Sequence, residues 1–392
     1  MQHQLEQAYR LTTKSEAFDF LRKVLRSAHP IAVWRLPRTN TMRALIDLTT
    51  DEQKRSREIE SLNKSFVVNG YCDTHPTNPL VLNGDIILTI DEEYVSIETC
   101  PTLSADKLED FQANLDSEKP VKPLIDSASS SYQDIVSEAV KSIKTGKMHK
   151  VVLSRFEDFD LKEGFDALDT LQALSDKYEN AFCHLTNTQT YGCWMGASPE
   201  KLIAIEDGQF FSTDALAGTQ VLPDNTDLMD VAWTQKEIEE QAMVSRYIID
   251  CFKKIRLREF DEIGPRTVKA GNLTHLKTAF KVDMELTNSP MLGSTMLEFL
   301  HPTSAVCGMP REMADQFIKT NEGYQRSLYA GFLGPVGFNG NSDLFVNLRC
   351  MQLDENKARL YAGAGITEYS NPEKEFLETS NKMQTMLKVL NA

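Results

Sequence analysis

The chain has 392 residues, of which 41% are hydrophobic, and a formal net charge of −15 at pH 7. This composition is typical of a globular protein with a substantial core, and the acidic balance argues against nucleic acid or an anionic membrane as a partner. Because no apolar run reaches the roughly 20 residues that span a bilayer and the first residues are polar, we expect a cytoplasmic protein without a membrane segment.

The first third of the chain carries no catalytic motif that the residues themselves reveal. We expect a helix around residues 16–25, with short apolar runs at 31–34 and 66–68 and a hairpin-like stretch at 85–90. A stretch rich in proline, serine and lysine follows at 116–131, and it predicts an exposed connection. On composition alone, this connection is the best internal boundary.

Two segments of the middle third have clear helical periodicity. Apolar residues from Tyr132 to Ile143 recur at helical spacing, and a strand at 150–154 follows. A longer helix is predicted from about residue 234 to 258, with Glu240 at the head of its apolar stripe. Because burial of a lone carboxylate is costly, Glu240 requires a nearby cation.

The remaining segments predict many short strands. They are expected at 181–186, at 191–195, as a hairpin at 202–211 and as a meander at 331–366. Residues 216–219, Leu-Ala-Gly-Thr, predict a loop, and helices are predicted at 291–300 and 311–320. Segregated helices and largely antiparallel strands favour an α+β fold over a doubly wound sheet.

The run at residues 361–382 joins a glycine-rich strand end to a helix. Gly363 and Gly365 lack a Cβ, so a ligand can approach the backbone closely there. Asn371 followed by proline predicts the start of the helix. One face of that helix carries Glu375, Glu378 and Lys382. Alone, such a stripe is typical of a solvated helix face; beside the glycines it is a candidate metal and carboxylate site.

Seven segments from residue 150 onward occur in one order, and together they resemble the chorismate-utilising enzymes, most closely the isochorismate synthases. They are Lys-Val-Val-Leu-Ser-Arg at 150–155, Gly-Ala-Ser-Pro-Glu at 196–200, Leu-Ala-Gly-Thr at 216–219, Leu-His-Pro-Thr-Ser-Ala at 300–305, Val-Asn-Leu-Arg-Cys at 346–350, Ala-Gly-Ala-Gly-Ile at 362–366, and Glu-Thr at 378–379 with lysine at 382. The family includes enzymes of menaquinone and siderophore biosynthesis.

The resemblance implies one large α+β domain over residues 1–392, built of four layers, α/β/β/α, with mostly antiparallel sheets. Residues 1–130 correspond to the variable amino-terminal part of that fold, and residues 131–392 to the catalytic part that bears the motifs. The boundary near residue 116 then becomes a connection within one domain. The active site is implied to lie between sheets and helices.

The resemblance also implies conversion of chorismate to isochorismate, in which water adds at C2 of the ring and the C4 hydroxyl leaves. Such a reaction needs a base on one side and an acid on the other. Lys150 resembles the family's base and Glu200 its acid. A glutamate must be protonated to act as an acid, which requires its pKa to rise through desolvation or a neighbouring carboxylate.

A magnesium ion is implied by the same resemblance. Glu240 and Glu378 look like its ligands, and hard oxygen donors with water completing the shell suit Mg²⁺. Glu237 and Glu375 lie one helical turn before each ligand, where they are expected to orient metal-bound water. Gln241 departs from the family's pattern, in which histidine is common at this position, and so bears on the orientation of Glu240.

The residues that the resemblance implies to contact the substrate are Gly218, Thr219, His275, Ala305, Tyr329, Arg349, Gly363 and Lys382. Arg349 and Lys382 look like cations for the substrate carboxylates, because an arginine fork pairs with a carboxylate in bidentate fashion. Gly218, Thr219, Ala305 and Gly363 would contribute backbone groups. For His275 and Tyr329, burial in the core is an equally open interpretation.

Alternatives within the family remain open. Amine-transferring members place a lysine at the position of Ala217, and they and the anthranilate synthases lack a base at the position of Lys150; both features favour water as the nucleophile here. Salicylate synthases keep the same lysine and metal site and go on to eliminate pyruvate. A third possibility is a catalytically silent chorismate-binding homologue. We expect a monomer.

Overall fold

The computed structural model of the protein describes residues 11–49, 54–71, 78–115, 124, 131–221, 227–270 and 273–390. The connection predicted at 116–131 therefore lies, apart from residues 124 and 131, outside the described residues. None of the helices in the described ranges is long and apolar enough to cross a membrane.

The strands are, in chain order, β1 (Ile31–Arg35), β2 (Met42–Ile46), β3 (Ser65–Asn69), β4 (Leu80–Asn83), β5 (Ile86–Ile90), β6 (Val95–Thr99), β7 (Lys150–Asp160), β8 (Phe182–Thr188), β9 (Gly192–Ser198), β10 (Lys201–Glu206), β11 (Phe210–Val221), β12 (Asp261–Ala270), β13 (Leu273–Asp283), β14 (Gly308–Met309), β15 (Phe332–Val336), β16 (Ser342–Val346), β17 (Cys350–Leu353) and β18 (Lys357–Ile366). They form a ten-stranded sheet, β14-β7-β18-β17-β9-β8-β1-β2-β5-β6, and an eight-stranded sheet, β12-β13-β11-β10-β16-β15-β3-β4. Neighbouring strands run antiparallel in both sheets.

The helices are α1 (Lys14–Arg26), α2 (Ala105–Asn114), α3 (Tyr132–Lys144), α4 (Ala167–Lys177), α5 (Gln235–Lys254), α6 (Leu292–Leu300), α7 (Arg311–Asn321) and α8 (Pro372–Leu390). Two short 3-10 helices, Ile59–Ser61 and Leu228–Asp230, complete the regular structure of the described ranges.

Alternation along the strands builds the layers. In β1, Ile31 and Val33 join a core cluster with α1, α2, α4 and α8, whereas Ala32 and Trp34 point to the opposite face and pack against the second sheet. Helices α5 and α6 cover the far side of the eight-stranded sheet, on β10, β11 and β13. The molecule is thus layered helix, sheet, sheet, helix, and the predicted α+β fold is confirmed.

Strands β7 and β18 position the site. Gly363 pairs with Ser154 and Gly365 pairs with Val152 in their antiparallel register. On its other side, β18 pairs with β17 only as far as Leu360. The glycine-rich end of β18 therefore extends beyond this second neighbour, which leaves room for side chains to reach its backbone.

The start of α8 was predicted correctly. Asn371 Oδ1 accepts hydrogen bonds from the backbone N–H groups of Glu373 and Lys374, both at 3.1 Å. This cap satisfies donors that the first turn of a helix leaves without an intrahelical partner. The cap fixes the start of α8, about two turns before Glu378 and about three turns before Lys382.

The loop predicted at 216–219 was wrong, because these residues lie within β11. The strand continues through them with an irregular register between Ala217 and Thr219, where Gly218 has φ of +67°. A single glycine inside a strand often marks such a bulge. Strands β12 and β13 had also not been predicted in full, and they extend the sheet beyond β11.

Candidate active site

Lys150, the first residue of β7, lies across the glycine-rich end of β18. A Cβ at Gly365 would lie 3.0 Å from Cε of Lys150, so the lysine stem occupies the space that a side chain would fill. Its Nζ donates a hydrogen bond to Oε1 of Glu240 at 3.2 Å, and the lysine side chain is 18% exposed. Lys150 is therefore the cation beside Glu240, although the side chain of Glu240 is 37% exposed and thus less buried than its place on the apolar stripe predicted.

Gln241 fixes the rotation of α5 next to Glu240. Its side chain is buried, and Nε2 donates to the carbonyl of Ala215 at 3.1 Å and to Oγ1 of Thr278 at 2.9 Å. Adjacent helix residues point about 100° apart. Because Gln241 is tied to the eight-stranded sheet, Glu240 is turned toward β7, and the departure from the family's pattern serves as an anchor.

Lys382 and Glu378 form the second charged pair of the site. Their side chains contact at 2.6 Å on α8, and Nζ of Lys382 also donates to the carbonyl of Gly363 at 2.8 Å. Burial lowers the pKa of Lys382, whereas the carboxylate of Glu378 opposes that effect. The lysine thus ties α8 to the open edge of β18.

The two lysines meet the same strand two residues apart. Lys150 lies over Gly365 and Lys382 binds the carbonyl of Gly363, a separation of about 7 Å along a strand. Each lysine is paired with a carboxylate, Lys150 with Glu240 and Lys382 with Glu378. Residues from β7, α5 and α8 therefore converge on the glycine-rich end of β18.

Glu200 lies between β9 and β10 and is held by its backbone. Its carbonyl accepts from the N–H of Val346 at 3.0 Å, and its own N–H donates to Oγ of Ser198 at 3.3 Å. Desolvation raises the pKa of its carboxyl from 4.5 to about 7, although Lys150, the hydroxyl of Thr303 and Lys382 act in the opposite direction. Glu200 is thus close to both lysines and carries a proton in a large fraction of molecules at neutral pH.

Arg349 borders the site between β16 and β17. Its Nη1 donates to the carbonyl of Lys382 at 3.4 Å, and its own carbonyl accepts from the N–H of Ala197 at 3.0 Å. Burial lowers the pKa of this guanidinium, and Tyr329 and Glu378 oppose the shift. The arginine therefore lies near Glu378 and Tyr329, with its backbone fixed by β9.

His275 is partly buried, and Tyr329 is a core residue. Nδ1 of His275 lies 3.1 Å from the carbonyl of Gly218 and must carry the proton, because a carbonyl only accepts. Burial lowers the pKa of His275, which favours the neutral ring. Tyr329 is buried and stacks on Tyr361, and a Cβ at Gly363 would lie 2.8 Å from its hydroxyl.

The remaining predicted residues lie in the turn after α6, in β11 and in the first turns of α5 and α8. Ala305 is in the turn after α6, and the backbone of Thr219 pairs with that of His275. Glu237 caps α5, since its Oε2 accepts from the N–H of Thr234 at 2.8 Å. Glu375 raises the pKa of Lys382, so its charge also reaches the site. The roles expected for Glu237 and Glu375 beside a metal stay predictions.

The donor set fits a magnesium-type ion. In each ion pair the lysine contacts Oε1, and a carboxylate has a second oxygen for a hard cation. Within the described ranges, no group of three or more histidine, cysteine, aspartate or glutamate side chains could hold a metal. Two carboxylates with water and substrate completing the shell suit Mg²⁺, whereas a structural zinc site needs more protein ligands.

A buried ion pair behind the site had not been predicted. Glu322 and Arg326 are 1% and 2% exposed, and Nε of the arginine donates to Oε2 of the glutamate at 2.8 Å. Arg326 also donates to the carbonyls of Val306 at 2.8 Å and Val152 at 2.7 Å, and Glu322 accepts from the N–H of Ser154 at 2.7 Å. The pair joins the turn that holds Ala305 to the strand that holds Lys150.

That ion pair had one local signature, a glutamate and an arginine four residues apart. Thr303, whose hydroxyl is close to the carboxyl of Glu200, is a second residue that the motif comparison had not singled out. It lies within the segment at 300–305 that carried the resemblance. Its position there was the only sequence feature that pointed to it.

Comparisons with known proteins identify relatives of the chain. The family model of chorismate binding enzymes matches residues 9–391. The isochorismate synthase EntC of Escherichia coli strain K12 is 31% identical over 265 residues, which cover 66% of this chain and 66% of that protein. The isochorismate synthase DhbC of Bacillus subtilis strain 168 is 28% identical over 271 residues, which cover 66% of this chain and 67% of that protein. The match to EntC thus spans slightly less than two thirds of its length.

A solved structure shares the fold over nearly the whole chain. It is that of MenF, the menaquinone-specific isochorismate synthase from Escherichia coli, with a TM-score of 0.75 and 22% sequence identity. The superposition covers 96% of this chain and 92% of that chain. The likeness agrees with the four layers described above.

Proposed function

The chain belongs to the chorismate-binding enzyme family, and we propose that it is an isochorismate synthase, an isomerase that interconverts chorismate and isochorismate. The observation that carries the proposal is the convergence of Lys150 and Lys382 on the glycine-rich end of β18, with the carboxyl of Glu200 electrostatically close to both and its pKa raised to about 7 by desolvation. One group that can donate a proton and one that can accept it face the same space. The relatives named isochorismate synthases support this choice of reaction.

In the proposed reaction, Lys150 accepts a proton from water as the water oxygen bonds to C2 of the ring. Glu200 donates its proton to the C4 hydroxyl, which leaves as water while the ring double bonds shift. Lys150 must be neutral and Glu200 protonated at the start, and the reverse reaction exchanges these states. Desolvation of Glu200 supplies the acid at neutral pH.

The substrate carries two carboxylates, and the site offers cations for them. Arg349 can bind one through two parallel hydrogen bonds. Lys382 reaches the glycine backbone of β18, where a flat ring can approach closely because Gly363 and Gly365 have no Cβ. These contacts would set the ring between the acid and the base.

Glu240 and Glu378 would hold Mg²⁺, which would neutralise and orient a substrate carboxylate. Glu240 lies on α5 and Glu378 on α8, and each carboxylate pairs with a lysine that meets the glycine-rich end of β18. The monomeric state and the cytoplasmic location stay predictions. Menaquinone or siderophore biosynthesis is the proposed context, because the relatives include a menaquinone-specific and a vibriobactin-specific isochorismate synthase.

Product analysis tests the proposal. The purified chain is incubated with chorismate, with and without Mg²⁺, and the products are separated by chromatography. Isochorismate as the only product, formed with Mg²⁺ present, is the expected result. Release of pyruvate with salicylate would show a salicylate synthase instead, and chorismate binding without any product would show a silent homologue. Either result overturns the proposed function.

A further inference from the structure

Arg155 joins the strand of the proposed base to the helix of the proposed metal ligand. It lies five residues after Lys150 in β7, and an odd spacing along a strand puts the two side chains on opposite faces. Its Nε donates to Oγ1 of Thr379 at 2.8 Å, and its Nη2 donates to Oγ of Ser380 at 2.7 Å. The side chain is 12% exposed, so these contacts are largely shielded from water.

Helix α8 contacts this arginine through two hydroxyl groups and one aromatic ring. The hydroxyls of Thr379 and Ser380 donate to the carbonyl of Phe376 at 2.7 and 3.1 Å, which leaves their lone pairs to accept from the guanidinium. The guanidinium carbon also lies 4.1 Å from the centroid of the Phe376 ring, within the range of a cation–π contact. One turn of α8 is therefore held at three points.

The residues that contact Arg155 and the residues of the site lie on neighbouring parts of α8. At about 100° per residue, Phe376 and Ser380 group on one side of the helix, whereas Glu378 and Lys382 group on another side. The buried residues Thr379 and Met383 lie between them, against the sheet. A rotation of α8 about its axis would move both groups relative to the sheet. The contacts of Arg155 oppose this rotation and therefore fix the positions of Glu378 and Lys382 over the sheet.

We propose that Arg155 is a positioning residue, which fixes the rotation of α8 so that Lys382 and Glu378 meet the end of β18. This inference rests on the proposed function. Arg155 contacts neither the acid nor the base, because Glu200 lies between β9 and β10 and the side chain of Lys150 lies on the opposite face of β7. Its loss should therefore weaken substrate and metal binding and leave the proton transfers in place.

Arg155→Lys keeps the positive charge and loses the two-pronged contact. We expect KM for chorismate and the Mg²⁺ concentration for half-maximal activity to rise about tenfold, with kcat within about threefold of the wild type and the pH profile unchanged. Arg359→Lys is the matched control. Arg359 also forks onto a partner, Asp158, at 2.6 and 2.8 Å, and lies 4.0 Å from the Phe156 ring, but these contacts join β18 to β7.

Binding is also measured without turnover, by calorimetric titration of chorismate and of Mg²⁺ into variants that carry Lys150→Met. Weaker binding in Arg155→Lys but not in Arg359→Lys supports the inference. Equal losses of melting temperature in both variants with unchanged binding would overturn it. Because no turnover is needed, this result is independent of whether the wild type makes isochorismate.

A second variant tests the helix side of the contact. Thr379→Val with Ser380→Ala removes both acceptors and leaves Arg155 in place. If the arginine acts through these hydroxyls, this double variant reproduces the rise in KM, and adding Arg155→Lys to it has little further effect. Additive effects on KM would show that Arg155 does not act through α8. If Arg155→Lys folded poorly, the KM of Thr379→Val with Ser380→Ala would still test the inference, and an unchanged KM would overturn it.

Discussion

Nζ of Lys150 lies 3.2 Å from Oε1 of Glu240, although 90 residues separate the two in the sequence. The contact joins β7, the neighbour of the edge strand β14 in the ten-stranded sheet, to the helix that covers the eight-stranded sheet. It therefore links α5, in the outer helical layer over the eight-stranded sheet, to a strand of the ten-stranded sheet. The proposed base and one proposed metal ligand meet at this junction, so changes to either side chain report on both halves of the site.

Lys150→Met should abolish the conversion of chorismate, with a loss of at least about a thousandfold, because the variant cannot accept a proton from water. Chorismate should still bind, since Arg349 and Lys382 are unchanged. The free energy of unfolding should change by less than about 1 kcal/mol, because the ion pair with Glu240 is partly exposed. Lys319→Met, which removes an ion pair with Asp315 on α7, is the control. Steady-state kinetics that left Lys150→Met fully active would contradict the assignment.

The slope of log kcat against pH should fall by about one as the pH rises through about 7, because Glu200 then loses the proton that it donates. Below that pH the carboxyl is protonated in the folded protein, so this group does not limit the rate there. Glu200→Gln cannot donate a proton and should lose nearly all activity at every pH. The measurement is kcat against pH for the wild type. A slope that did not change between pH 6 and 8 would exclude Glu200 as the acid.

Glu200→Gln should stabilise the fold at high pH and have little effect at low pH. The folded-state pKa of Glu200 is raised from 4.5 to about 7, so ionisation favours the unfolded chain as the pH rises through this window, and the penalty is complete above it. The gain should reach on the order of 1 to 2 kcal/mol at pH 8, after allowance for solvent screening. Urea unfolding at several pH values measures it. Glu206→Gln, at the exposed end of β10, is the control.

Glu240→Gln and Glu378→Gln should each raise the Mg²⁺ concentration needed for half-maximal activity by at least about tenfold, since an amide is a weaker ligand for a hard cation. Glu239→Gln changes an exposed neighbour on α5, which contacts Gln235 at 2.9 Å, and should leave the titration unchanged. Titration of metal-depleted protein gives the result. An identical Mg²⁺ dependence in all three variants would argue against a metal at these carboxylates.

Arg326→Met should destabilise the protein by about 3 to 5 kcal/mol, because it leaves the carboxylate of Glu322 buried without its partner. Replacing both residues, as Arg326→Met with Glu322→Leu, should restore much of that loss. Denaturant unfolding of the three proteins separates the two effects. If the double variant were no more stable than Arg326→Met alone, the hydrogen bonds to Val152 and Val306 would be the larger contribution.

Local sequence patterns predicted the elements around the site well. The asparagine and proline at the start of α8, the apolar stripe of α5 and the turn between β10 and β11 have causes that lie within a few residues. The bulge at Gly218 was missed because a short run with a glycine has the same composition as a loop. Its partner strand, β13, is more than fifty residues away, and only that pairing makes it a strand.

The site itself could be predicted only as a set of residues. The resemblance supplied Lys150, Glu200, Glu240 and Glu378, but no periodicity relates them to one another. The ion pair of Lys150 with Glu240 depends on how two sheets stack. The contacts of Arg155 depend on a helix at the other end of the motif-bearing part. Both arise from packing across layers, which the spacing within a single element does not determine.

The contact of Arg155 with Thr379 spans 224 residues of the chain, and it has a consequence for refolding. Pairing of segments so far apart closes a long loop, which is slow compared with the formation of helices and hairpins. We expect helical circular dichroism to recover early during refolding from urea and catalytic activity to recover in a later phase. A chain that ends before α8 would still contain the strands and the proposed base. It would lack Glu378, the second proposed carboxylate ligand, and Lys382, which contacts the glycine-rich end of β18.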